Sequence, residues 1–244
     1  MDVLDDDAFL GGSVVIRQPA IGYRPGLDAV LVAAASDAPR GARVLDAGCG
    51  VGAVMLCLVH RRPDLTITGL EIDKTLAALC TENITLNGFA EQATCVVGDL
   101  AGRPPQGDGL FDLVVTNPPF HDGAGQSSPD PVRATALQSN ADFDLADWII
   151  ASLKHLRAKG RLTLIARADR LDTVLATLSG RAGEAKIFPL WPKAGRPAKR
   201  VIITARKGLK GPLEMQPGLI LHHDDNSYTD AAMAALQGGQ ALHL

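Results

Sequence analysis

The 244-residue chain contains no apolar run near 18 residues, so no segment of it reads as a helix able to cross a membrane. No leader-like pattern opens it: Asp2, Asp5, Asp6 and Asp7 are the reverse of the basic segment that begins a secretory signal. Its four cysteines, Cys49, Cys57, Cys80 and Cys95, include no C-x-x-C pair. That argues against a zinc site and makes reduced core thiols in a cytoplasmic protein the expectation. His222-His223-Asp224-Asp225 carries side chains that can ligate a metal but reads as a solvated loop, so no metal is expected. Internal repeats and an inter-domain linker are also missing. With 46% hydrophobic residues and a net charge of −3, the chain can bury a full core, and a single α/β domain is the simplest reading.

What is present is an alternation of strands and helices. Val44-Leu45-Asp46-Ala47-Gly48-Cys49-Gly50-Val51-Gly52-Ala53 reads as a strand, a glycine turn and a helix start. Thr66-Ile67-Thr68-Gly69-Leu70 reads as a second strand ending on Glu71, Ala93–Val97 as a third ending at Gly98-Asp99, and Phe111–Thr116 as a fourth ending at Asn117. Asp46, Glu71, Asp99 and Asn117 are separated by 25, 28 and 18 positions, room for one helix and one strand per step. Ligands of an open parallel sheet bind at the carboxyl ends of its strands, so the four residues are expected along one edge. Helices are expected over 27–36, 51–61, 74–87, 145–156 and 170–178, and later strands over 161–166, 185–188 and 200–205. Ser13-Val14-Val15-Ile16 reads as a further short strand.

Asn117-Pro118-Pro119-Phe120 is the most specific motif. The Asn side chain offers an acceptor oxygen, and Pro118, with no N–H and a fixed φ, can aim its carbonyl with little play. Phe120 supplies a flat apolar face for stacking. Two acceptors that take both hydrogens of a planar exocyclic amine pull it towards tetrahedral geometry and free its lone pair to attack. The plain alternative is a Pro-Pro turn after a strand.

Together these motifs resemble those of class I S-adenosylmethionine-dependent methyltransferases. The resemblance implies an α/β fold with a Rossmann-like, seven-stranded, mostly parallel sheet, helices on both faces and a reversed last strand. It also implies that Asp46, Gly48, Gly50 and Gly52 line the methionine end of S-adenosyl-L-methionine, that Glu71 takes the ribose hydroxyls and that Asp99 takes the adenine. Asn117, Pro118 and Phe120 would hold the amine that is methylated. Gly22 to Leu31, with Asp28 against the cofactor, and Tyr228-Thr229 before a final small helix are similar to the bacterial N6-adenine methyltransferases of valine tRNA. Residues 1–40 would then be an N-terminal extension packing on the cofactor site, and 41–244 the methyltransferase domain. One departure points elsewhere: Phe120-His121-Asp122-Gly123 is closer to the N2-guanine methyltransferases of ribosomal RNA. A protein glutamine methyltransferase is the weaker third reading.

Two segments bear on the substrate. His121 to Asn140 follows the tetrad directly and is rich in small and turn-forming residues, as expected of a loop able to close over a flipped base or of an ordinary surface connection. Residues 185–213 carry eight Lys or Arg and no Asp or Glu, in an otherwise acidic chain. Polyanion binding is the natural reading, with RNA, tRNA first, as partner. His121, Lys199 and Arg200 are the candidate contacts, and Trp191 can stack on a base.

Overall fold

Two runs of β-branched and aliphatic residues, Arg43–Ala47 (β3) and Phe111–Thr116 (β6), are almost wholly buried, as parallel strands covered on both faces must be. The computed structural model that contains them describes residues 4–21, 26–103, 110–119 and 143–244. Thr66–Glu71 (β4) and Ala93–Val97 (β5) continue the sheet beyond β3, each parallel to its neighbour. On the other side β6 pairs in parallel with Leu156–Arg167 (β7). Arg200–Lys207 (β9) then runs antiparallel between β7 and Ala182–Trp191 (β8). These seven strands, in the order β8-β9-β7-β6-β3-β4-β5, are the expected sheet with its reversed last strand. Two short edge strands, Glu214–Met215 (β10) and Leu219–Ile220 (β11), pair with β8 and extend it to nine.

Alternation along each strand sends successive side chains to opposite faces. Val44, Ile67, Leu113 and Val115 join one core cluster, with helices Leu27–Ala35 (α1), Ala53–Arg61 (α2), Lys74–Leu86 (α3) and Asp230–Leu236 (α6). Leu45, Val114, Leu162 and Leu164 join the other, with Leu145–His155 (α4) and Leu171–Leu178 (α5).

The N-terminal segment differs from its sequence reading. Leu4–Phe9 (β1) and Val14–Pro19 (β2) form an antiparallel hairpin, where only a short strand over 13–16 was expected. Three consecutive Asp residues have poor strand propensity and hide β1. Tertiary contacts override it: Asp6 faces Arg17 in the register and accepts from its Nε at 2.9 Å. The hairpin docks on α3 through two asparagines one turn apart. Asn83 Oδ1 accepts the Arg17 N–H and its Nδ2 donates to the Arg17 carbonyl, at 2.8 and 2.9 Å. Asn87 does the same for Val15, at 2.8 and 2.7 Å. Two side chains at i and i+4 thus present a helix to β2 as though it were another strand.

Candidate active site

The carboxyl ends of β3, β4, β5 and β6 lie on one edge, because all four strands are parallel. Asp46 is the next-to-last residue of β3, Glu71 ends β4, Asp99 lies two residues beyond β5 on the exposed surface, and Asn117 follows β6. The sheet therefore brings these four residues to one rim.

The glycine turn between β3 and α2 is built from backbone hydrogen bonds. The N–H groups of Gly48 and Cys49 both donate to the Leu70 carbonyl at 2.9 and 3.1 Å, and Gly52 donates to the Cys49 carbonyl at 2.8 Å. Gly48 needs to be glycine twice over: its φ is +69°, and a Cβ there would stand 2.6 Å from the Trp148 ring. Gly50 also has positive φ, at +56°, but a Cβ there would meet only open space. That gap is on the turn itself, where a ligand can approach the backbone closely.

Two buried carboxylates frame the turn. Glu71 Oε2 accepts the Gly50 N–H at 2.8 Å and Oε1 accepts the Asp73 N–H at 2.9 Å. Burial raises its pKa above the usual carboxylate value, against the pull of those two amides. Asp46 is 1% exposed. Its Oδ2 accepts the Met55 N–H at 3.1 Å, while Oδ1 is buried with no hydrogen-bond partner among the described residues. Burial pushes this carboxyl up to about 8. An orphaned acceptor of this kind is stabilised by a donor or cation brought by a ligand. S-adenosylmethionine, with its ammonium, sulfonium and ribose hydroxyls, supplies those groups, so the residues present fit it.

Asn117 is half-buried and Pro118 is buried; Phe120 and His121, with residues 122–142, lie outside the described residues. The residue before Asn117 is anchored. Thr116 Oγ1 donates to the Ala47 carbonyl at 2.7 Å and accepts from Trp148 Nε1 at 2.9 Å. Trp148, on α4, packs its ring against Gly48 and edge-on to Phe143 at 5.9 Å. One side chain therefore touches both the glycine turn and the base of the tetrad. Sequence reasoning missed it: a single Trp in an amphipathic helix carries no signal that distinguishes it from core packing.

The remaining expected residues fall into a second group on the same edge. Asp28, at the start of α1, accepts from Arg200 Nε at 3.0 Å, so the two are paired with each other. The Lys199 carbonyl accepts the Ala168 N–H at 3.1 Å, just past the end of β7. Trp191 ends β8, and β8 and β7 both run against β9, so the 191–200 connection stands at the carboxyl edge with Asn117. Trp191 Nε1 donates to the Pro217 carbonyl at 3.1 Å, and its ring lines an open groove of about 860 Å³ with Arg196, Gly218 and Leu219. The basic stretch is not one loop. Its other end turns inward: Lys207 Nζ donates to the Leu156 carbonyl at 2.6 Å and Arg206 pairs with Glu184.

The chain is similar to several known proteins. The methyltransferase small domain family matches residues 28–181. A protein of Aeromonas salmonicida named tRNA1(Val) (adenine(37)-N6)-methyltransferase is 30% identical over 215 residues, covering 84% of this chain and 85% of its own. The ribosomal RNA small subunit methyltransferase C of Shewanella amazonensis is 32% identical over 114 residues, 47% of this chain and 32% of that one. Among solved structures, a predicted O-methyltransferase from Agrobacterium tumefaciens superposes with a TM-score of 0.71 at 24% identity, covering 88% of this chain and 98% of that one. At that identity the likeness is one of fold.

Proposed function

The chain belongs to the methyltransferase small domain family and is an S-adenosylmethionine-dependent methyltransferase; we propose that it methylates the exocyclic amine of a base in RNA, with adenine N6 in a tRNA as its substrate. The observation that carries this reading is the position of Asn117 and Pro118. They leave β6 directly beside the glycine turn of β3, at the point where strand order reverses.

The chemistry asked of the chain is placement. Glu71, Asp46 and the open face at Gly50 would hold the methyl donor, which would supply an electrophilic sulfonium methyl when bound. The target base leaves its stack and enters the cleft. Asn117 Oδ1 and the Pro118 carbonyl accept the two amine hydrogens, and the tetrad's Phe120, which lies outside the described residues, would supply the stacking face. With both hydrogens held, the nitrogen lone pair would point at the methyl group the donor supplies, and the proton lost from the methylated amine would pass to water. Little charge is created, so orientation supplies most of the acceleration. Asp28 and Arg200 brace the rim, while Trp191, Lys199 and Arg196 contact the RNA outside the cleft. The work is that of a cytoplasmic enzyme.

A second reading has its own support. The Phe120-His121-Asp122-Gly123 sequence resembles that of the N2-guanine methyltransferases of ribosomal RNA, and the partial match to a ribosomal RNA methyltransferase favours the same class of RNA. Methyl transfer to unmodified tRNA and ribosomal RNA, with the modified nucleoside identified by mass after digestion, separates the two. N6-methyladenosine in tRNA supports the first, N2-methylguanosine in ribosomal RNA the second, and transfer to neither removes both.

A further inference from the structure

We propose that Cys49, Cys80 and Cys95 form a binding site for a thiophilic d10 cation, Zn2+ or Cu+, beneath the glycine turn. The three thiols come from different elements: the turn after β3, the middle of α3, and β5. Their ligand atoms all lie within 4.8 Å of one another, with Cys49 Sγ 3.9 Å from Cys80 Sγ and 3.7 Å from Cys95 Sγ. A zinc–thiolate bond of about 2.3 Å places the corners of a tetrahedron roughly 3.8 Å apart, so the sulfurs already stand at the edge length of such a site. A disulfide would need them at about 2.05 Å.

A fourth sulfur adjoins them. Met55 Sδ lies 3.5 Å from Cys80 Sγ, and thiolate with thioether is a donor set suited to soft cations. Room for the sulfurs is made by glycine. A Cβ on Gly69 would stand 2.7 Å from Cys49 Sγ and 2.8 Å from Met55 Sδ, and one on Gly52 would stand 2.8 Å from Cys80 Sγ. Cys49 and Cys80 are buried while Cys95 is partly exposed, which leaves an approach from the β5 side. The missing C-x-x-C pair excludes only a sequence-local zinc motif; these ligands are 31 and 46 positions apart. On binding, each S–H bond that breaks gives its proton to water as a sulfur–metal bond forms, with no change of oxidation state. Cys49 stands between Gly48 and Gly50, so an ion here would tie the turn to α3 and β5.

The test is metal titration of the reduced full chain after chelator treatment, with Zn2+ and Cu+ in separate arms and Cd2+ as an optical probe. The expected result is one ion per chain by mass-spectrometric metal analysis and a near-ultraviolet thiolate charge-transfer band with Cd2+. Affinity should fall at least tenfold in Cys95→Ser and stay unchanged in Cys57→Ser, whose thiol is elsewhere on α2. Circular dichroism confirms that both variants fold, and whichever arm binds identifies the ion. Absence of stoichiometric binding in both arms overturns the proposal, as does binding that survives both Cys95→Ser and Cys80→Ser.

Discussion

Glu71 holds Gly50: the carboxylate that ends β4 accepts the N–H in the middle of the glycine turn at 2.8 Å. The turn's shape and the acid that would meet the ribose are therefore one unit. Glu71→Ala should weaken S-adenosylmethionine binding at least tenfold and also destabilise the fold, because two amides lose their acceptor at about 1 kcal/mol or more each. Glu71→Gln keeps one acceptor and should fall between. Calorimetric binding together with thermal melts checks both. Unchanged cofactor affinity in Glu71→Ala would remove the residue from the cofactor site.

Asn117→Ala should lower turnover by about two to three orders of magnitude, the usual cost of losing one aligned polar group at a reacting centre. Cofactor affinity should stay within a few-fold, since the role proposed for Asn117 is to hold the amine. An active Asn117→Ala enzyme would reduce the tetrad to a Pro-Pro turn.

Trp148→Phe removes the indole N–H from Thr116 while keeping an aromatic ring against Gly48. Turnover should drop several-fold with substrate KM little changed, because the end of β6 loses an anchor near the chemistry. Parallel wild-type and variant steady-state kinetics read this directly, and a pure KM effect would contradict it.

Asp46 gives a pH dependence with a definite sign. Its folded pKa is raised from 3.8 to about 8 by burial, so the folded chain holds a proton that the unfolded chain has lost between those values. Cofactor-free stability contributed by this group therefore falls as pH rises from about 4 to about 8. Asp46→Asn should flatten that fall and raise Tm above wild type near pH 8. Melts of the two proteins across pH 5 to 9 test it, and parallel curves would show that the carboxyl is ionised throughout.

Arg196 and Lys199 are exposed at the rim beside Trp191. Replacing both with Gln should weaken RNA binding and reduce the salt slope by roughly one for each phosphate that is no longer neutralised. Arg200→Gln should also cost stability, because Asp28 loses its partner. An unaltered salt slope would take RNA away from this edge.

The parallel strands were legible because each is a short apolar run bounded by turn residues, and Asp46, Glu71 and Asn117 were legible because they stand at or beside the ends of such runs. What joins them was not. The Thr116–Trp148 bond spans 32 positions, the Asp28–Arg200 pair 172, and the Cys49–Cys95 approach 46. No local pattern encodes those meetings; they follow from strand order. The β1 strand was hidden for the opposite reason, since its local composition argues against the pairing that Arg17 imposes.

The two asparagines on α3 have an effect on how the molecule behaves among copies of itself. A two-stranded hairpin offers bare N–H and C=O groups that invite another chain to add a strand. Asn83 and Asn87 occupy those groups at Arg17 and Val15, and Asp5, Asp6 and Asp7 place like charges along the strand beyond. The hairpin is thereby closed to edge-to-edge association on its β2 side, a guard against aggregation in this part of the chain.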